Sequence, residues 1–237
     1  MSTGTLYMMP MTLGGENPDL VIPSDVQEML KNERYFIVEN IKTTRRYLRK
    51  VDRSFPIDDS TFFVLNKKTR LAELHDFLHP ALEGNNICLL SEAGCPGVAD
   101  PGATIVAIAH EKGIRVAPLT GPSSILLTIM GSGFSGQEFT FHGYLPKDRK
   151  DRVRKVKDFE NSVYRTGHTH LFMDTPFRNM HVLEDVLNEL ADSTQLCIAS
   201  NLTLPGESIR TMSVKAWREN AYDLARKPVM FALGKLQ

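Results

Sequence analysis

Through the first half of the chain, short apolar runs alternate with longer stretches that repeat apolar side chains every three or four positions. The short runs have the length of strands and the longer ones the period of amphipathic helices. Strands are therefore predicted over 5–9, 35–39, 62–65, 87–90 and 115–118, and helices over 24–31, 43–51, 70–82, 103–112 and 122–130. That alternation is the rhythm of a parallel α/β sheet. It breaks at Gly131-Ser-Gly-Phe-Ser-Gly136, where three glycines in six residues mark an interdomain connection. Two domains are expected, 1–133 and 137–237, the second a smaller α/β unit with strands over 140–144, 169–174, 195–201, 208–212 and 229–233.

Two loops carry candidate chemistry. Ser91-Glu-Ala-Gly-Cys-Pro-Gly-Val-Ala-Asp-Pro-Gly102 packs three Gly and two Pro between a buried strand and a helix. Open α/β sheets bind ligands at the carboxyl ends of their strands, and glycine lets a ligand approach the backbone closely. A second such loop, Thr120-Gly-Pro-Ser-Ser124, follows the strand over 115–118. Asp100, flanked by Pro101 and Gly102, offers either an acceptor for a polar ligand or an Asx-type turn.

Composition narrows the classes. The chain has 237 residues, 42% of them hydrophobic, with 28 basic and 28 acidic side chains, which suits one large or two modest globular domains. No stretch approaches the roughly 20 apolar residues of a membrane helix, and Met1-Ser-Thr-Gly4 lacks the character of a signal peptide, so a cytoplasmic location is expected. Cys88, Cys95 and Cys197 form no C-x-x-C pair, and neither a disulfide nor a metal site is expected. His75 and His79 have the spacing of a zinc-binding helix, but Asp76 stands where such a motif needs Glu, and Pro80 disturbs the helix end. His168 and His170 are expected as exposed turn residues. Two segments are strongly basic: 147–157 carries seven basic residues against two acidic, and 42–53 six against one. Each is either a solvated helix face or a phosphate-tracking patch.

Taken together, Gly4-Thr-Leu-Tyr-Met-Met-Pro10, the loop from Ser91 to Gly102, Pro118-Leu-Thr-Gly-Pro122 and Gly143-Tyr-Leu-Pro146 stand in the order found in one family. The chain resembles the tetrapyrrole methylase superfamily of S-adenosylmethionine-dependent methyltransferases, and within it the branch that methylates ribose 2′-hydroxyls of small-subunit ribosomal RNA. The resemblance implies two α/β domains, a parallel sheet in the first and a mixed sheet in the second, with an active cleft between them and a homodimeric assembly. It implies S-adenosyl-L-methionine as cofactor, held by Pro10 and Met11, Asp100 and Ala103, and Ser124 and Ile125, with Met173, Leu202 and Pro228 toward the adenine.

On the substrate side the chain departs from that branch. Glu-Asp-Thr-Arg becomes Glu39-Asn-Ile-Lys42, and the box His-Asp-His-Asn-Glu becomes Asn66-Lys-Lys-Thr-Arg70. Tyr-Glu-Ser-x-x-Arg becomes Met173-Asp-Thr-Pro-Phe-Arg178. Glu39, Asn66, Lys67 and Arg178 are the substrate-side candidates, and no general base is assigned. RNA is the expected acceptor. The alternatives are a tetrapyrrole-like ring or protein acceptor, or a non-catalytic module that only binds the cofactor.

Overall fold

The computed structural model describes residues 3–66, 68–220 and 222–236. The chain divides into two compact units, Met1–Ser123 and Ser124–Gln237.

In the first unit, β1 (Thr5–Met8), β2 (Tyr35–Val38), β3 (Thr61–Val64), β4 (Ile87–Leu90) and β5 (Arg115–Pro118) form one sheet in the order β3-β2-β4-β1-β5. All four pairings are parallel. Side chains alternate across a pleated strand, so each strand feeds two cores. Phe36, Val38, Cys88 and Leu90 join Leu30 of α1 (Ser24–Asn32) and Tyr47 and Leu48 of α2 (Ile41–Val51). Ile37, Ile87 and Leu89 join Leu74 of α3 (Leu71–Phe77), Ala81 of α4 (His79–Leu82), and Ile105 and Ile108 of α5 (Gly102–Glu111). The continuous apolar run of β4, buried at every position, is what a strand covered on both faces requires.

The single helix expected over 70–82 is two. Leu78 ends α3 and begins α4, because Pro80 has no N–H to donate to the carbonyl of Asp76. The His75/His79 pair is thereby split between two helices, and His79 instead lies 3.2 Å from Glu83.

In the second unit, β6 (Phe139–Tyr144), β7 (Thr169–Met173), β8 (Gln195–Ser200), β9 (Ser208–Ser213) and β10 (Val229–Gly234) form a mixed sheet in the order β6-β7-β10-β8-β9. Only β6 and β7 run parallel; the other pairings are antiparallel. The core gathers Phe172, Ile198 and Phe231 from the sheet with Phe159 of α7 (Arg149–Thr166), Val186 of α8 (Asn179–Glu189) and Trp217 of α9 (Val214–Glu219). The helix α6 (Ser124–Ser132) packs on β8, β9 and β10, with Gly131 close against Ile209, and the Thr211 hydroxyl donates to the Ser132 carbonyl at 2.7 Å. The unit boundary accordingly falls at Ser123/Ser124, before the glycine-rich segment.

One expectation is corrected. His170 is not an exposed turn residue: it lies inside β7, 7% exposed, because strand alternation turns it toward Phe159. Its Nδ1 is 2.8 Å from Nε2 of His142 on β6.

Candidate active site

Because the strands of the first sheet are parallel, the segments that leave their carboxyl ends gather on one rim. The segment after β1 and the loop after β4 are bonded to each other: Met11 N–H donates to the Gly94 carbonyl at 2.9 Å, and Gly94 N–H to the Thr12 carbonyl at 3.3 Å. The loop after β5 closes on both. Cys95 Sγ lies 3.5 Å from the Pro122 carbonyl and 3.7 Å from that of Gly121. Gly121 is so near Pro10 that a Cβ there would overlap the proline ring. From α2, the buried Tyr47 hydroxyl donates to the Pro10 carbonyl at 3.1 Å, and burial pushes its pKa up.

Asp100 organises the loop after β4. Its carboxylate accepts the Gly97 N–H at 2.8 and 2.9 Å and the Gly102 N–H at 2.7 Å, which is the Asx-type arrangement. Burial raises its pKa and these backbone donors pull it back. Ala99, just before it, has φ 61°, a left-handed conformation that costs a non-glycine residue energy and persists only where the surroundings hold it. The backbone of this loop is held by its own aspartate.

Beside Asp100 opens a pocket of about 420 Å³. Glu39 and Asn40 line it from the end of β2, Leu65 and Asn66 from the end of β3, and Glu92, Asp100 and neighbouring residues from the loop after β4. Glu39 Oε1 accepts the Glu92 N–H at 3.1 Å, and the Thr43 hydroxyl donates to Glu92 Oε2 at 3.4 Å. Burial, together with the charges of Asp100 and Glu92, raises the pKa of Glu39 against the pull of that backbone donor. Asn40 caps α2 by accepting the N–H groups of Lys42 and Thr43. Asn66 Oδ1 accepts the Lys68 N–H at 2.8 Å. Asn40 and Glu92 were not among the sequence candidates; the polar residue just before a helical run was the available signal for Asn40.

No protein-family model matches the chain. Curated relatives do. Ribosomal RNA small subunit methyltransferase I of Haemophilus influenzae is 31% identical over 161 residues, covering 67% of this chain and 54% of the relative. The protein of the same name from Vibrio cholerae is 28% identical over 207 residues, covering 87% of this chain and 68% of the relative. The crystal structure of the methyltransferase CobJ superposes with a TM-score of 0.64 at 17% identity, over 98% of this chain and 95% of that one. Uroporphyrin-III-C-methyltransferase from Thermus thermophilus gives 0.55 at 14% identity, over 98% and 95%. The chain shares the fold of these two methyltransferases and resembles in sequence the ribosomal RNA small subunit methyltransferase I proteins. The fold, with a parallel first sheet and a mixed second sheet, is the one that the resemblance implied.

The superfamily positions in the second unit gather at one end of its sheet. Met173 ends β7 and pairs with Met230, Leu202 follows β8, and Pro228 precedes β10 with its carbonyl accepting the Asn201 N–H at 3.0 Å. The backbone there is strained: Asn201, Thr203 and Arg226 have φ of 53°, 65° and 60°. Two buried polar atoms beside these residues, Thr203 Oγ1 and Asn179 Oδ1, have no hydrogen-bond partner among the described residues, while Asn179 Nδ2 donates to the Lys227 carbonyl at 2.7 Å. Leu202 is buried and Pro228 exposed.

The remaining positions that the resemblance names lie on α5 and α6. Ala103 is exposed in the first turn of α5; Ser124 and Ile125 open α6, where the Ser124 carbonyl accepts the Thr128 hydroxyl. Arg178 is engaged within its own unit, 3.0 Å from Asp174 and donating to the Pro146 carbonyl at 2.8 Å. Lys67 lies outside the described residues.

Proposed function

We propose that this chain is an S-adenosylmethionine-dependent methyltransferase acting on small-subunit ribosomal RNA, by resemblance at a ribose 2′-hydroxyl. The observation that carries the reading is the interlocking of the segments after β1, β4 and β5 beside a pocket lined by Glu39, Asn66 and Asp100, in a chain whose curated relatives bear that name.

The cofactor, when bound, supplies an electrophilic methyl group on a cationic sulfur. Pro10, Met11, Asp100, Ala103, Ser124 and Ile125 hold it, with Met173, Leu202 and Pro228 on the adenine side. The residues present fit such a group: Thr203 Oγ1 and Asn179 Oδ1 are buried polar atoms in want of partners next to Leu202 and Pro228. Asp100 acts by shaping the loop. Positioning of acceptor and donor is the protein's principal contribution to such a transfer.

A ribose hydroxyl is a poor nucleophile and gains from a base. Glu39 is that base: its carboxylate is fixed by the Glu92 N–H, and burial raises its proton affinity. Asn66 offers a polar contact to the acceptor. Arg178, engaged by Asp174 and Pro146, orders the segment before α7. The reading carries with it a cytoplasmic place of work and a homodimer.

Calorimetric titration with S-adenosylmethionine, followed by transfer of a labelled methyl group to small-subunit RNA and mapping of the modified nucleotide, tests the proposal. Binding and transfer to a ribose are expected. Absence of cofactor binding would overturn it, and binding without transfer to RNA would overturn the acceptor.

A further inference from the structure

The two basic segments differ in what their charges touch. On α7, Arg149 is 2.8 Å from Asp185 and 3.2 Å from Glu189, Arg152 is buried at 2.7 Å from Asp185, Arg154 is 3.1 Å from Asp151, and Lys157 is 2.7 Å from Glu189. Lys155 lies over the Phe159 ring. Most of that segment's charge is spent inside its own unit.

On α2 it is not. The helix holds Lys42, Arg45, Arg46, Arg49 and Lys50 in eleven residues and no acidic side chain. Thr44, Tyr47 and Leu48 turn inward, while Lys42, Arg45, Arg46 and Arg49 are exposed. Spacings of four and three put Lys42, Arg46 and Arg49 in one stripe, with Arg45 beside it and Arg53 just past the helix end. Lys50 pairs with Glu16 at 2.7 Å, but among the described residues no ion pair engages the four exposed cations. Glu16 and Asp52, whose carboxylates feel the charges of Arg46 and Arg49, are held by Lys50 and by Ser54. Arg45 lies over Phe62, and Arg49 donates to the Arg53 carbonyl.

This arrangement opposes helix stability. Lys42 stands in the first turn, where the helix dipole favours an anion, and Lys42/Arg46 and Arg45/Arg49 set like charges one turn apart. Such a conflict with local preference is what a binding surface produces. The stripe also begins at the pocket, since Asn40, the cap of α2, lines it. The pocket itself is acidic, with Glu39, Glu92 and Asp100 on its walls, and it repels phosphate.

We propose that the outward face of α2 binds the phosphate backbone of an RNA strand and delivers one nucleoside to the pocket beside Glu39. This rests on the RNA methyltransferase reading and deepens it by naming the surface that recognises the acceptor. From Lys42 to Arg49 the helix rises about 10 Å, so its cations can follow more than one phosphate of a strand.

Fluorescence anisotropy with a labelled single-stranded RNA, read across a salt series, is the test. The triple exchange Arg45→Gln/Arg46→Gln/Arg49→Gln is expected to weaken binding at least tenfold at low salt and to flatten the slope of log affinity against log salt by about 2, at roughly 0.7 per lost phosphate contact. Lys147→Gln/Lys150→Gln/Arg154→Gln is expected to change neither, and the triple Arg→Lys exchange on α2 to keep the slope. Should the glutamine triple fail to fold, Arg46→Glu, at an exposed position, reads the same slope.

The proposal falls if the α2 glutamine triple binds RNA as the parent does, if the α7 triple loses as much, or if the parent binds phosphatidylserine vesicles and not RNA. Titration with S-adenosylmethionine on the same samples separates the two readings. RNA binding through α2 without cofactor binding sinks the methyltransferase reading alone; cofactor binding with α2-independent RNA binding sinks the docking surface alone.

Discussion

Gly121 and Pro10 meet with no room for a side chain between them: a Cβ on Gly121 would lie 2.1 Å from Cβ and 2.6 Å from Cγ of Pro10. The proline ring is rigid, so the loop after β5 would have to move. Gly121→Ala is expected to destabilise the chain by about 1–3 kcal/mol, the usual range for overpacking, and to abolish the calorimetric response to S-adenosylmethionine. Gly136→Ala, where the nearest atom to a Cβ is 3.8 Å away, is the neutral comparison. A Gly121→Ala protein that melts and binds like the parent would show the interlocked loops to be irrelevant to the cofactor.

Asp100 is expected to behave as a positioning residue. Asp100→Ala strips the Gly97 and Gly102 N–H groups of their acceptor, at a cost of about 1–3 kcal/mol for each group left buried without a partner. Asp100→Asn keeps one carbonyl acceptor and should lie between parent and alanine in both melting temperature and cofactor affinity. Equal loss of cofactor binding in the two variants, with unchanged melting, would instead assign the carboxylate charge to the ligand.

Glu39→Gln should lower turnover by about 10²–10⁴, the scale of a positioned base, while leaving cofactor affinity intact. The pH profile of the parent should rise as Glu39 loses its proton, with a midpoint above the ordinary glutamate value of 4.5 because burial and the Asp100 and Glu92 charges hold the proton on. If the Glu39→Gln protein kept that rising limb, Glu39 would be excluded as its source.

His142 and His170 are both pushed down to about 4, first by burial and then by neighbouring positive charge from His168 and, on α7, Lys155. Between about 4 and the free value of 6.5 the unfolded chain binds more protons than the folded one. The stability that follows from keeping these rings neutral is complete above 6.5 and drains away as pH falls toward 4. Melting temperature recorded along that descent should drop, and His142→Phe, which keeps the stack on Phe159, should lessen the drop. A flat profile would contradict the shared burial of the two rings.

Asp185 holds the buried Arg152 through both Nε and Nη2 at 2.7 Å. Asp185→Ala leaves that guanidinium without its countercharge and should cost about 3–5 kcal/mol in denaturant unfolding. Glu184→Ala, one residue away and exposed, should cost almost nothing.

The parallel sheet was legible because its strands are short apolar runs set between helical periods, and β4, β5 and α5 lie where that pattern put them. The break at Leu78 was blurred because Pro80 falls inside a segment whose apolar period runs on. The early unit boundary was hidden because nothing in the apolar helix α6 says which sheet it joins; that is decided by Ile209 and Thr211, the latter 79 positions beyond its partner Ser132. Glu39 and Asn66 were named through the family resemblance and Asp100 also through its Pro/Gly loop, whereas Glu92 comes to the pocket through a backbone contact with Glu39 that spans 53 positions. Charge counts left 147–157 and 42–53 alike, each with a net charge of +5, and the partners that α8 offers to α7 tell them apart.

The strand order has a temporal consequence. β1 lies between β4 and β5, so once made it has neither neighbour until residues 87–90, and then 115–118, have followed it. Closing loops of that length must precede the reward of pairing. During synthesis β1 is thus an apolar ribbon waiting for its partners, and a nascent-chain holdase has its clearest opportunity in that interval.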